Sequence, residues 1–132
     1  MFTALIVEDN APFRHFLTEA LRARFPAMTI AEAEEGEEAR RKVHTLVPDL
    51  IFMDIELSGE NGLELTKQIK MRYPKTIVII LTSYDLPEYR KAAAQSGASY
   101  FFSKDSVSVE EIVKVVKYII GDHDREADCP TK

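Results

Sequence analysis

LIFMDIELSGENGLEL, residues 50–65, is the stretch on which the fold turns. Four apolar residues, Leu50 to Met53, run without alternation and deliver an aspartate, Asp54, directly into a loop. A continuous apolar run is what a strand buried on both faces requires, as in a parallel sheet covered by helices. A buried strand gains nothing from an acid at its tip, so Asp54 marks the place to look for chemistry. Beyond the loop, Gly62 leads into LELTKQIKMRY, which reads as a helix, and Pro74 ends it before TIVIIL, the most β-branched run in the chain.

Outward from this centre the alternation of strand and helix continues. TALIV, residues 3–7, is a short apolar run, and Phe13, Phe16, Leu17, Ala20 and Leu21 then follow the spacing of one helical face. Pro26 closes that helix, and MTIAEA alternates as a half-exposed edge strand does. Gly36 opens a second helix with Ala39, Val43, Leu46 and Val47 on one face. After LTSYD, LPEYRKAAAQSG predicts a weakly amphipathic helix stopped by Gly97, and SYFF predicts a last short strand. VEEIVKVVKYII predicts a final helix that buries Val109, Ile112, Val113, Val116 and Ile120 and ends at Gly121. Five βα units with apolar central strands predict an α/β fold, a doubly wound parallel sheet with helices on both faces.

A chain of 132 residues is long enough for one domain and short for two. No apolar run approaches the about 20 residues that cross a bilayer, and the N-terminus lacks the basic and apolar stretches of a signal peptide. A cytoplasmic location without membrane contact is therefore expected. The single cysteine, Cys129, stands in the polar segment DHDREADCPTK and is expected to be an incidental thiol. A net charge of -5 argues against nonspecific attraction to nucleic acid. His15, His44 and His123 are not at ligand spacing and are expected to be exposed.

Ligands of an open parallel sheet bind outside the carboxyl ends of the strands. There the sequence puts Glu8 and Asp9 after the first strand, Asp54 after the third, Thr82 and Ser83 after the fourth, and Lys104 after the fifth. Any one of these, Asp54 apart, reads more simply as a helix cap, a turn hydroxyl or a solvated cation. Their assembly on one rim does not. Three adjacent carboxylates need a cation or protons, and oxygen-only ligands with open water positions suit Mg²⁺. Asp54 is then a carboxylate nucleophile for a phosphoryl group, with Mg²⁺ and Lys104 stabilising charge on its oxygens and Thr82 placed to hydrogen-bond one of them.

IVEDN at 6–10, MDIELSGENGLEL at 53–65, LTSYD at 81–85 and YFFSKD at 100–105 together resemble the receiver domain of two-component response regulators. The resemblance covers residues 2–121, which sets a domain at 1–121 and leaves 122–132 as a polar tail or truncated linker. It implies the flavodoxin-like, CheY-like strand order 2-1-3-4-5. It also implies Asp54 as phosphoacceptor, and Glu8, Asp9, Asp54 and the backbone carbonyl of Glu56 as ligands of Mg²⁺, for which Mn²⁺ substitutes. Thr82 matches the switch hydroxyl, Lys104 the phosphate-binding lysine, and Phe101 the switch aromatic, although an ordinary core Phe fits that position as well. Glu56, Ser83 and Tyr84 stand where the family tunes the lifetime of the phosphate. The implied partner is a sensor histidine kinase or phosphotransfer protein, and the implied output surface is the fourth helix, fifth strand and fifth helix. Such a domain phosphorylates and slowly dephosphorylates itself and is not otherwise an enzyme.

Ser58 stands where that loop usually has proline, and Asp105 where many members have a cis proline, so a trans bond is expected there. The KD pair with SVEEIVKVVKYI is similar to receivers joined to LuxR-like domains. DNA binding would then need an effector domain absent from this chain, and the family also allows a phosphorylation-dependent homodimer. Competing readings are a pseudo-receiver that is never phosphorylated and a haloacid dehalogenase-like phosphatase. The first typically loses an acid or the lysine; the second uses DxDx[TV], which the residues after Asp54 do not match.

Overall fold

The computed structural model describes residues 2–127. Its strands are β1 (Thr3–Val7), β2 (Thr29–Ala33), β3 (Leu50–Met53), β4 (Ile77–Thr82) and β5 (Tyr100–Ser103). Its helices are α1 (Ala11–Arg24), α2 (Gly36–Leu46), α3 (Gly62–Arg72), α4 (Pro87–Ser96) and α5 (Val109–Ala127). The five strands form one parallel sheet in the order β2-β1-β3-β4-β5, as expected. Register aligns Val7 with Met53 and Thr82 with Ser103, so the strands end together on one rim.

Alternate residues of the central strands feed two cores. Leu5, Val7, Ile51, Met53, Val78 and Ile80 pack with Val43, Leu65, Ile69 and Ala93 of α2, α3 and α4. Ala4, Ile6, Leu50, Phe52, Ile79 and Leu81 pack with Leu17 and Leu21 of α1 and Ile112, Val116 and Ile119 of α5. Both faces of the sheet are thus covered, which is why β3 carries no polar residue before Asp54.

Local chemistry sets the helix ends. The Asn10 side chain accepts a hydrogen bond from the Phe13 amide at 2.9 Å and starts α1 beside Pro12. Asn61 accepts from the Leu63 amide at 2.7 Å and starts α3. Ser108 and Glu111 cap α5 reciprocally, the Ser108 hydroxyl accepting from the Glu111 amide at 3.1 Å and the Glu111 carboxylate from the Ser108 amide at 2.9 Å. Gly97, at φ 105°, ends α4 in a left-handed conformation that suits glycine.

Several sequence expectations are corrected. The helix predicted to stop at Gly121 runs on to Ala127, so residues 122–127 are helical; Gly121 lacks the positive φ of a helix-ending glycine. Residues 128–132, with Cys129, lie outside the described residues. Phe16, Leu46 and Val47, assigned to buried faces by periodicity, are exposed. Val47 takes a left-handed backbone at φ 42° that ends α2 and turns its side chain off the helical stripe. In α5 Ile119 is buried, and Ile120 only partly. His123 is half-buried, its ring edge-on to Phe2 and its Nε2 3.3 Å from the Asp49 carboxylate. A two-residue antiparallel ladder, Glu56–Leu57 with Glu60–Asn61, closes the loop after Asp54 and was not foreseen. No peptide bond among the described residues is cis, as expected for Asp105. No helix among them is long and apolar enough to cross a membrane.

Candidate functional site

Three strand ends and their loops bring Glu8, Asp9, Asp54 and Lys104 around one cavity of about 350 Å³, together with Asn10, Glu56, Ser58, Ser83 and Tyr84. The carboxylates of Glu8, Asp9 and Asp54 each offer an oxygen within 4.8 Å of the others. Glu8 and Asp54 are buried, whereas Asp9 is exposed at the mouth. Three anions so close are an arrangement that a hard cation stabilises.

The protein supplies one cation of its own. The Lys104 ammonium lies 2.6 Å from Glu8 Oε1 and 3.1 Å from Asp54 Oδ2, and 4.7 Å above the Phe13 ring. Its backbone N–H donates to the Thr82 carbonyl at 2.8 Å, tying its loop to the end of β4. Burial opposes the Lys104 charge, but the hydrogen bond to Glu8 and the neighbouring acids outweigh it and raise its pKa above the ordinary lysine value. Burial pushes Glu8 the other way, from 4.5 up to about 7, a rise that the charge of Asp54 reinforces and the hydrogen bond from Lys104 opposes.

Backbone contacts hold the acids in place. The Asp54 N–H donates to the Val7 carbonyl at 3.2 Å, and the Glu8 N–H to Ala33 at 3.0 Å. The Asn10 N–H donates to Glu8 Oε2 at 3.0 Å. The loop after Asp54 is held close by Gly62, whose N–H donates to the Ile55 carbonyl at 2.6 Å. A Cβ on Gly62 would stand 1.9 Å from the Asp54 carbonyl oxygen, so only glycine lets α3 start this close to the acid.

Thr82 is wholly buried; its hydroxyl oxygen accepts from the Tyr84 N–H at 3.3 Å, and Ser83 rather than Thr82 lines the cavity. Phe101 is half-buried against the α2–α4 core, with the Arg90 guanidinium 4.7 Å over its ring. Arg90 in turn donates to Asp85 at 2.6 Å, which links the loop after β4 to that aromatic. His15, His44 and His123 take no part in the acid cluster.

Two contacts were not legible in the sequence. The Tyr84 hydroxyl donates to Glu56 Oε1 at 2.8 Å, closing one side of the cavity; both residues had been singled out, but not as partners. The Ser58 hydroxyl donates to Asp9 Oδ2 at 3.3 Å, so the residue standing in place of proline ties its loop to the acid turn. The signal in each case was a polar residue two to five positions past a strand end.

Residues 4–117 match the family model described as the response regulator receiver domain. The chain is 33% identical over 114 residues to the transcriptional regulatory protein DegU of Brevibacillus brevis, covering 85% of this chain and 48% of that protein. It is 35% identical over 116 residues to the transcriptional regulatory protein LnrK of Bacillus subtilis (strain 168), covering 88% and 52%. It thus spans about half the length of these curated relatives. Among solved structures, the signal receiver domain of a DNA binding response regulator from Colwellia psychrerythraea 34H superposes with a TM-score of 0.88 at 27% identity, covering 92% of this chain and 99% of that one.

Proposed function

Because the chain belongs to the family of response regulator receiver domains, we propose that Asp54 accepts a phosphoryl group from a phosphohistidine of a sensor kinase or phosphotransfer protein. The single observation that carries this reading is the convergence of Glu8, Asp9 and Asp54 with the Lys104 ammonium in one cavity at the carboxyl rim of the sheet.

An Asp54 carboxylate oxygen forms the bond to phosphorus as the bond from phosphorus to the donor imidazole nitrogen breaks. The electron pair leaves with the imidazole, which is protonated, and Asp54 becomes an acyl phosphate. The acid cluster, an all-oxygen donor set with one exposed member, fits Mg²⁺, with Mn²⁺ as a substitute; Glu8, Asp9, Asp54 and the Glu56 carbonyl would hold it. When bound, the ion supplies positive charge against the acids and the transferring phosphoryl oxygens. Lys104, now shared between Glu8 and Asp54, pairs with a phosphoryl oxygen once the Asp54 charge is consumed.

The Thr82 hydroxyl then turns to the phosphoryl group, giving up its contact with the Tyr84 N–H, and the loop carrying Tyr84 and Asp85 follows. Movement of Asp85 releases Arg90 and frees Phe101 to turn inward, which alters the surface of α4, β5 and α5. Glu56, Ser83 and Tyr84 border the reacting group and govern how long the phosphate survives. Any contact with DNA would need an effector domain joined to such a receiver.

The test is phosphoramidate, a small donor whose P–N bond stands in for phosphohistidine, supplied with Mg²⁺ or with a chelator. An acyl phosphate signal in ³¹P NMR that needs the metal and is lost in Asp54→Asn is the expected result. A signal that survives in that variant overturns the assignment of the acceptor.

A further inference from the structure

We infer that Arg14 is a positioning residue for the acid turn, fixing the backbone at Glu8 from the edge of the sheet so that Glu8 and Asp9 are held ready for a divalent cation. The inference rests on the reading of Glu8 and Asp9 as cation ligands.

Arg14 lies one turn into α1 and is buried, 6% exposed, an uncommon setting for a guanidinium. Its Nη1 donates to the Glu8 backbone carbonyl at 2.8 Å. Its Nε donates to Glu32 Oε1 of β2 at 2.7 Å, and its Nη2 to Glu34 Oε1 at 3.3 Å. The other Glu32 oxygen accepts from the Thr18 hydroxyl at 3.0 Å, so the acid that orients Arg14 is itself held on both sides. Burial opposes the Glu32 charge, yet the hydrogen bonds from Arg14 and Thr18 keep its pKa below the ordinary value.

The consequence falls on the two peptide units that flank the Glu8 Cα. The Glu8 N–H is taken by the Ala33 carbonyl and the Glu8 C=O by Arg14, so the main chain that leads from Glu8 to Asp9 cannot rotate without breaking a buried, charge-assisted bond. Among the described residues the Arg14 side chain makes no hydrogen bond to Asp54, and of the cavity-lining residues it bonds Glu8 at the main chain, so its influence on the acids passes through that backbone. The fork geometry matters: one planar group reaches a carbonyl and two carboxylates at once, which a lysine ammonium does not reproduce.

The experiment uses the full chain as wild type, Arg14→Met, Arg14→Lys and Glu32→Gln. Mg²⁺ titrations follow the amide NMR shifts of residues 8–10, with phosphorylation by acetyl phosphate over a range of Mg²⁺ and with thermal midpoints alongside. Arg14→Met is expected to weaken Mg²⁺ about tenfold, the scale of lost outer support at a metal site, with Arg14→Lys between it and wild type. Saturating Mg²⁺ is expected to restore most of the phosphorylation rate, because Asp54 and Lys104 are untouched. A lower thermal midpoint with unchanged Mg²⁺ affinity makes Arg14 purely structural and overturns the inference. If Arg14→Met does not fold, Glu32→Gln decides: weaker Mg²⁺ binding supports the inference and unchanged binding overturns it. Absence of Mg²⁺-dependent shifts in the wild type refutes instead the reading on which the inference rests.

Discussion

Raising the pH from 6 to 8 is expected to tighten Mg²⁺ binding, because on the proposed reading the buried carboxyl of Glu8 would have to lose its proton to become a ligand. Burial places that pKa at about 7 rather than 4.5. If only the carboxylate binds, the apparent dissociation constant scales with one plus the ratio of protonated to ionised Glu8. That ratio gives an improvement of about fivefold between pH 6 and 7 and less than about twofold between pH 7 and 8. The metal-free protein moves the opposite way. A folded-state pKa above the unfolded one means that Glu8 favours the fold fully below about 4.5 and that this contribution is lost as pH rises through about 7. Its thermal midpoint therefore falls over that window, and added Mg²⁺ recovers more stability at pH 8 than at pH 6. With no tryptophan in the chain, the assay is an NMR titration of the amides around Glu8 and Asp9, repeated on Glu8→Gln. An affinity flat between pH 6 and 8, or a dependence that persists unchanged in Glu8→Gln, refutes the reasoning.

Tyr84→Phe removes the hydroxyl that holds Glu56 Oε1, freeing a carboxylate at the edge of the cavity to orient water. The aspartyl phosphate is expected to decay faster, by about threefold or more, when its loss is followed by mass after donor removal; an unchanged or longer lifetime speaks against the role given to this pair. Gly62→Ala drives a methyl group against the Asp54 carbonyl and is expected to cost about 3 kcal/mol in urea unfolding. It should also slow phosphorylation, since the loop behind the acceptor has to move; a midpoint equal to wild type would mean that the close approach of α3 is unimportant.

The order of elements and the acid rim were legible because their signals are strong and local. LIFM and TIVIIL are unbroken apolar runs, and the residues after each strand are polar in a way that no core requires. Helix faces were read less well at their ends. Periodicity picks a stripe at Leu46 and Val47 but says nothing of where the backbone turns left-handed or whether the sheet extends beneath them. Gly121 looked like a stop because glycine commonly is one, yet a helix continues through glycine when nothing there adopts a positive φ. Side-chain partnerships across the fold, Arg14 with Glu32 or Tyr84 with Glu56, depend on strand register and loop shape, which one-dimensional spacing does not encode.

The central claim is that Asp54 is a metal-dependent phosphoacceptor, and intact mass measures it most directly. The protein and Asp54→Ala are incubated with acetyl phosphate, with and without Mg²⁺. The account predicts a gain of one phosphoryl group that needs Mg²⁺ and vanishes in the variant. No gain in folded protein with metal and donor present would contradict it and favour an interaction module that is never phosphorylated.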